Sequence, residues 1–336
     1  MKTPRTLVSG GYDHSIRFWD LKTAKLLRNV PFQSSHINQV KFSMDGRLLA
    51  VCGNPAVEFY DMRTNTEKSV HTINFHSDNV TCLSFKDNGP FIATCSEDKT
   101  VGLWDLRVTS PLHTWKSLYP FSCVCYGRDE SEIFTSDYSG SARIWDITTQ
   151  QESGRLKTRD SSILTGFLYE RAHSLFVMFG SSGFVYISLL KPKKESFNCR
   201  IRRQYIFGQA NYEVDQESKG YFEKITKLRA TKRYVLKASL SEEGLLLANA
   251  SEDGYIKLWG DINNPNAYDE GRWQQNITLG RHQKWVWDCQ FLHGTRYLVS
   301  ASSDKKVLLW NWEKRLLLQE FSGHEKAVTS VDVSNS

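Results

Sequence analysis

Hydrophobic and polar residues alternate along most of this 336-residue chain in short runs that are separated by Gly- and Asp-containing turns. Val80 to Phe85, Phe91 to Cys95 and Val101 to Trp104 are three successive runs of this kind. Alternation with a period of two, enrichment in β-branched and aromatic residues, and turns about every ten positions favour strands over helices. We therefore predict an all-β protein.

The dipeptide Trp-Asp, or a degenerate form of it, ends the third strand of each unit in a long repeat. It recurs at Trp19, Tyr60, Trp104, Trp145, Ser188, Trp259 and Trp310. The spacings are 41, 44, 41, 43, 71 and 51 residues, and four-stranded propeller blades have periods of about 40 to 45. Seven units predict a seven-bladed β-propeller.

The first unit lacks its own inner strand. Ser9 to Asp20 holds two strands and a turn, and the missing strand follows Gly323-His324 at the other end of the chain, as Ala327 to Val333. We therefore expect pairing of the N- and C-terminal strands to close the ring, so that residues 1–336 form a single domain.

Polar side chains recur at fixed distances from the repeated Trp: Asp six residues before it, Ser or Thr ten before it and His 28 before it. Three sets are complete: His324, Ser9, Asp13 and Trp19; His76, Thr94, Asp98 and Trp104; His282, Ser300, Asp304 and Trp310. Hydrogen bonds within such a set satisfy every buried polar group. The residue types also match a hydrolase triad, but a set copied around a ring and capped by Trp indicates a structural clamp. It resembles the tetrad of WD-repeat proteins, and we predict no catalysis and no cofactor.

Four units have lost parts of this clamp. The replacements are Phe32, Asn54 and Tyr60 in unit two, Ser139 in unit four, Ser188 in unit five, and Thr231 and Asn249 in unit six. We expect these blades to depend on packing between sheets instead.

Charge and cysteine content limit the remaining possibilities. The net charge is +6, and residues 191–233 carry twelve Lys/Arg against five Asp/Glu. We predict a basic insertion at about 191–230, between blades five and six, that forms a solvated loop; its interleaved aromatics leave RNA binding as an alternative.

The seven cysteines include no CxxC pair, so we expect neither a zinc site nor a disulfide framework. The first ten residues have no apolar core of signal-peptide length, which predicts a cytoplasmic protein, with a nuclear one as the alternative, and no membrane insertion.

Several longer segments are more specific than the repeat. They are GYDHSIRFWD at 11–20, INQV at 37–40 with DGRLLAVCG at 45–53, PFSCVCYGRDESEIFTSDYSGSARIWDI at 120–147, RYVLKASLSEEGLLLANASEDGYIKLW at 233–259, WVWDCQF at 285–291 and GHEKAV at 323–328. They resemble the small propeller subunit of TOR kinase complexes, the "lethal with Sec thirteen" family. The resemblance implies a non-catalytic subunit that supports TOR signalling in growth control. It also implies binding of one propeller face to a helical insertion in the C-lobe of the TOR kinase domain, indirect association with other TOR complex subunits, and peripheral attachment to endomembranes through the complex. A general adaptor of another complex, or an RNA-associated propeller, stays as the alternative.

One face of the predicted ring carries candidate binding residues. Trp285 and Trp287 flank Val286 at the start of an inner strand, and two exposed indoles beside one loop are typical of an interface. The alternative is that both indoles pack between blades. Other candidates occupy equivalent loop positions: Tyr12, His36, Asn38, Arg233 and Tyr234.

Overall fold

All regular elements in the described part of the chain are β-strands. The computed structural model describes residues 6–64, 66–127, 130–158, 162–170, 174–190, 212–214, 222–241, 246–260 and 275–334. The first fifteen strands are β1 (Thr6–Gly11), β2 (Ser15–Asp20), β3 (Leu26–Pro31), β4 (Gln39–Phe42), β5 (Leu48–Cys52), β6 (Val57–Asp61), β7 (His71–Ile73), β8 (Val80–Phe85), β9 (Phe91–Ser96), β10 (Thr100–Asp105), β11 (His113–Lys116), β12 (Phe121–Tyr126), β13 (Glu132–Asp137), β14 (Ser141–Asp146) and β15 (Glu152–Thr158). The remainder are β16 (Leu164–Glu170), β17 (Leu175–Gly180), β18 (Phe184–Leu190), β19 (Tyr212–Val214), β20 (Phe222–Arg229), β21 (Val235–Leu240), β22 (Leu247–Ser251), β23 (Tyr255–Trp259), β24 (Gln275–Gly280), β25 (Val286–Phe291), β26 (Tyr297–Ser302), β27 (Lys306–Asn311), β28 (Leu316–Ser322) and β29 (Val328–Val333).

These strands form seven antiparallel sheets, and each sheet is one blade. From the inner to the outer strand, blade one is β29-β1-β2-β3, blade two β4 to β7, blade three β8 to β11, blade four β12 to β15, blade five β16-β17-β18-β20, blade six β21 to β24 and blade seven β25 to β28. The predicted seven-bladed propeller is confirmed. Ring closure also matches the prediction, because Ser9 pairs with Val331 and Leu7 with Val333.

The core consists of layers between neighbouring blades. Trp19 of blade one packs in a cluster with Leu309 and Phe321 of blade seven, and Phe18 of blade one packs in a cluster with Tyr60 of blade two. The middle strands of each blade are covered on both sides, so β9, β13 and β26 are buried over five consecutive positions. A sheet that is buried on both faces does not need strict alternation of apolar and polar residues, and polar residues of these strands such as Thr94, Thr135 and Ser300 are buried together with the apolar ones.

The basic insertion lies elsewhere than predicted. We expected residues 191–230 between blades five and six, but β20 pairs with β18 and is the outer strand of blade five. The insertion therefore falls inside blade five, between its third and fourth strands, and β19 adds a fifth strand to blade four beside β15. Without an outer strand, β18 would present an unpaired edge. The alternating segment FEKITKLR, which forms β20, pairs with that edge.

Part of the predicted basic and aromatic interleaving is used internally. Lys227 Nζ lies 3.8 Å from the ring centroid of Phe184, and the Arg229 guanidinium lies 4.6 Å from the same centroid. Such contacts are cation–π interactions within blade five. Residues 191–211 and 215–221, which hold most of the predicted basic patch, lie outside the described residues.

Three tetrads fix the loops at one end of the ring. In blade one, the Trp19 indole N–H donates to Ser9 Oγ at 2.8 Å, His324 Nε2 lies 2.7 Å from the same oxygen, and His324 Nδ1 lies 2.8 Å from Asp13 Oδ2. Because a carboxylate only accepts, Nδ1 carries the proton and Nε2 accepts from the Ser9 hydroxyl. The sets around Trp104 and Trp310 have the same geometry, with all corresponding distances between 2.8 and 2.9 Å.

Blades four and six do not depend on packing alone, contrary to our expectation. In blade four the Trp145 indole donates to Thr135 Oγ1 at 2.9 Å, and the buried Asp137 accepts from the Arg143 guanidinium at 3.0 Å. In blade six Lys257 Nζ donates to Asp253 Oδ2 and to the Ala230 carbonyl, each at 2.8 Å. In both blades a basic side chain on the third strand therefore donates to an acid at or near the turn between the second and third strands.

Candidate partner-binding face

Two kinds of loop meet at one face of the ring, which we call the upper face. They are the loops from the outer strand of one blade to the inner strand of the next, and the turns between the second and third strands. Each tetrad links the two kinds, because its His comes from the first and its Asp from the second. In blade one the Tyr12 N–H also donates to the Ala327 carbonyl at 2.9 Å. Side chains on these loops are therefore held by the clamps beneath them.

Five predicted residues form a continuous line of rings across the upper face, which we call the aromatic row. Its members come from blades two, one, seven, seven and six in that order: His36, Tyr12, Trp287, Trp285 and Tyr234. Successive ring centroids lie 5.0, 6.3, 5.6 and 5.9 Å apart. Each distance is within the range of favourable aromatic pairs. The row therefore joins four consecutive blades by side-chain contact.

A β-bulge explains how Trp287 joins the row. The register of β25 shifts between Val286 and Asp288, so Trp287 is the extra residue. The equivalent bulge residue of blade three is Thr81, whose hydroxyl donates to the Phe121 carbonyl of the next blade at 3.0 Å. The bulge residue of blade seven points in the same way toward the next blade, which is blade one. Because Trp287 is larger than Thr81, its ring reaches Tyr12. The bulge breaks the two-residue alternation that the sequence implied.

The two indoles differ in exposure. Trp285 is 40% exposed, whereas Trp287 is half-buried and its indole N–H donates to Ser303 Oγ at 2.6 Å. Neither is enclosed between blades, and only Trp285 is freely presented. Trp287 is therefore the more buried of the two indoles in the row, and Trp285 is the more exposed.

Burial keeps the titratable members of the row uncharged. Burial is the main cause that raises the pKa of Tyr12, and the Glu97 carboxylate adds to it. Burial also lowers the pKa of His36. The nearby His14 lowers this pKa further, and the Glu97 carboxylate raises it. The row is accordingly a neutral aromatic surface near pH 7, bordered by the exposed side chain of Arg233.

Two predicted residues have different environments. Asn38 is half-buried, and its amide N–H₂ donates to Asn79 Oδ1 at 2.5 Å and to the Val80 carbonyl at 2.8 Å. It joins blades two and three, so its donors are not available to a partner. Arg233 is exposed beside Tyr234.

The sequence interpretation missed an apolar group on the other half of the upper face. These side chains lie in the loops that precede blades three, four and five, and they are Phe75 (42% exposed), Leu118 (83%), Tyr119 (48%) and Ile163 (41%). Their loops are equivalent to those of His36 and Trp285. The sequence contains one signal that would have identified this group: each of these loops carries an apolar residue within a few positions of the start of the following inner strand.

The described residues contain little that resembles a catalytic or metal centre. The tetrad hydroxyls of Ser9, Thr94 and Ser300 have no exposed surface, so they cannot reach a substrate. No cluster of three or more His, Cys, Asp or Glu with metal-binding geometry occurs in the described ranges. Nor do those ranges contain a helix with the length and hydropathy of a membrane span.

Comparison with known proteins identifies both the repeat and its relatives. The family described as "WD domain, G-beta repeat" matches residues 2–20, 67–105 and 273–311, which hold most of the residues of the three full tetrads. The chain is 31% identical to "Target of rapamycin complex subunit LST8" of Saccharomyces cerevisiae, over 98% of each chain. It is 28% identical to the protein of the same name in Mus musculus, over 99% of this chain and 96% of the relative. It is 29% identical to "Target of rapamycin complex subunit wat1" of Schizosaccharomyces pombe, over 75% of this chain and 73% of the relative.

Proposed function

Because this chain belongs to the LST8 family of target of rapamycin complex subunits, we propose that it is a non-catalytic WD-repeat subunit of a TOR kinase complex. It binds the kinase domain through the upper face, stabilises that domain and so supports TOR signalling in growth control. We further propose that it acts in the cytoplasm, and that it reaches endomembranes through the complex rather than by inserting into a membrane.

The aromatic row is the observation that carries this proposal. Tyr and Trp supply large contact areas at low entropic cost and dominate the binding energy of many interfaces. Here they are held in place before binding, since Trp287 is anchored to Ser303 and Trp285 stacks on Tyr234 with an interplanar angle of 28°. A surface that is already ordered loses little entropy when a partner binds.

The shape of the row favours a helical partner. It is a narrow line of rings that crosses four blades, with a charged Arg233 at one end and polar loops along its sides. An amphipathic helix presents a similar line of apolar side chains at intervals of three and four residues. A helical insertion in the C-lobe of the TOR kinase domain, as the family resemblance implies, has this form.

Alanine substitution of the two indoles tests the proposal. Trp285→Ala and Trp287→Ala are each expected to weaken co-purification with the TOR kinase, at a cost of about 2 kcal/mol or more for a central anchor. Trp285→Ala should lower thermal stability only slightly, because the side chain is 40% exposed and loses only its ring contacts with Tyr234 and Trp287. Trp287→Ala also removes a hydrogen bond, so it needs a folding check by thermal melting.

A matched control uses an exposed apolar residue away from the upper face. Leu318 lies on the outer strand of blade seven and is 44% exposed. Leu318→Ala should leave kinase binding unchanged. Undiminished recovery of the kinase with folded Trp285→Ala and Trp287→Ala proteins would reject the row as the binding site.

A further inference from the structure

The wall of the central channel contains two cysteines from neighbouring blades at the same level. Cys82 lies on β8 of blade three and Cys123 on β12 of blade four, and each directly follows the β-bulge of its inner strand. Equivalent positions in adjacent blades face each other across the blade interface. The two thiols therefore meet, although 41 residues separate them.

Their sulfur atoms are in contact. Cys82 Sγ lies 3.5 Å from Cys123 Sγ and 3.6 Å from the Val124 carbonyl. A disulfide bond is about 2.05 Å long, so the sulfurs need to approach by about 1.5 Å. A movement of this size is available to side-chain rotation and small strand shifts. Both cysteines are free thiols in this structure.

Small molecules can reach both thiols from the channel. Cys82 and Cys123 line a central cavity of about 1000 Å³, together with Gln39, Lys237 and Gln290. Their exposed fractions are only 4% and 7%, which excludes large reagents but not an oxidant of the size of water or peroxide. The cavity supplies the access that a buried core cysteine lacks.

The surroundings of Cys82 favour its thiolate. The contacts with Cys123 and Cys95 lower the pKa of Cys82 well below its ordinary value, Lys237 contributes to the shift, and burial opposes it. The Lys237 ammonium has no hydrogen bond or ion pair with another described residue. The Coulombic attraction of Asp288 and of the thiols raises its pKa despite its burial. Lys237 lines the same cavity as Cys82, and a nearby positive charge favours the reactive thiolate form of a cysteine.

We propose that Cys82 and Cys123 form a reversible disulfide that joins blades three and four when hydrogen peroxide enters the channel. The Cys82 thiol releases its proton and the thiolate attacks one peroxide oxygen; the O–O bond breaks, and the second oxygen takes up that proton and leaves as water, so Cys82 becomes a sulfenic acid. Cys123 then attacks the Cys82 sulfenic sulfur, the S–O bond breaks and a second water leaves. In total, two thiols lose two protons and two electrons, and one peroxide gains them to give two waters. A small dithiol reductant reverses the reaction by thiol–disulfide exchange.

Cys95 is the competing partner. It is the register neighbour of Cys82 on β9, but it is fully buried and its sulfur contacts the Thr81 hydroxyl at 3.3 Å. It does not line the cavity. We therefore expect the bond to cross the blade interface rather than to stay inside blade three.

The test is oxidation of the folded full-length protein with dilute hydrogen peroxide, followed by thiol counting after denaturation and by peptide mapping. The number of titratable thiols should fall from the seven of the sequence to five, with one linked pair of peptides that contains Cys82 and Cys123. Reduction with dithiothreitol should restore all seven. Cys123→Ser should abolish the linked pair, and Cys95→Ser, the matched control, should leave it in place.

Three results would overturn the proposal: seven unmodified thiols in the folded protein, a Cys82–Cys95 linkage, or irreversible oxidation of Cys82 without a linked peptide. Thermal melting of each variant establishes that it is folded. Cys82→Ala provides a second test if Cys123→Ser fails to fold. Because Cys82 reacts with peroxide first, this variant should retain an unmodified Cys123 thiol after oxidation. The readout is independent of kinase binding, so its failure leaves the proposed function untouched.

Discussion

Replacing Thr94 by valine separates the contribution of the tetrad from that of packing. Valine has nearly the same shape as threonine, and Thr94 has no exposed surface, so the substitution removes a hydroxyl and leaves no cavity. That hydroxyl accepts from the Trp104 indole at 2.9 Å and pairs with His76 Nε2 at 2.8 Å. Two buried polar groups therefore lose their partner at once.

The structure sets the expected magnitude. A buried polar group without a partner costs about 1–3 kcal/mol, so Thr94→Val should lower the free energy of unfolding by about 2–6 kcal/mol. Thr135→Val in blade four is the matched control, because Thr135 is equally buried but accepts from the Trp145 indole and belongs to no His-containing clamp. It should cost about 1–3 kcal/mol.

Denaturant unfolding measures the difference. The midpoint should shift more for Thr94→Val than for Thr135→Val, with unchanged dependence on denaturant concentration in both variants. Equal shifts would refute the reasoning, since they would show that the His76 side of the tetrad contributes nothing to stability. A shift near zero in both variants would mean that water replaces the lost hydroxyls.

Other predictions follow from the same contacts. Burial raises the pKa of Asp13, but hydrogen bonds from His324, the Glu325 N–H and Ser15 hold it well below its ordinary value. The stabilising contribution of Asp13 is therefore present above about pH 4 and is lost as the pH falls. Asp13→Asn should flatten the decline in unfolding midpoint on acidification, and parallel declines would contradict this. Tyr60→Ala should cost less than Trp104→Ala, which should lose roughly 3–5 kcal/mol; equal losses in denaturant melts would refute the difference between a decayed and a complete blade. Arg143→Met should destabilise by about 3–5 kcal/mol, because it leaves the fully buried Asp137 carboxylate without its charged partner, with only the neutral donors Ser139 and Ser141 remaining; calorimetry that shows less than about 1 kcal/mol would exclude a structural ion pair there.

Local repetition made much of this protein predictable from its sequence. The number of blades, the three complete tetrads and the joining of Ser9 to Val331 depend on the residue type at fixed spacings along one chain. Strand periodicity and hydrogen-bond chemistry act within about 30 residues or repeat unchanged in every unit. The sequence also located the members of the aromatic row, because equivalent loop positions recur in each blade.

Contacts between blades were decided by the tertiary structure. Whether Trp287 faces solvent or Tyr12 depends on a bulge in β25, and a bulge reverses the side-chain alternation that sequence patterns assume. The bulges in β8 and β12 likewise determine that the Cys82 and Cys123 side chains meet. The pairing of Arg143 with Asp137 and of β20 with β18 likewise depends on which residue lies across a sheet, not on neighbours in sequence. The sequence determined which units repeat, and the rotation of each blade against the next determined which side chains meet.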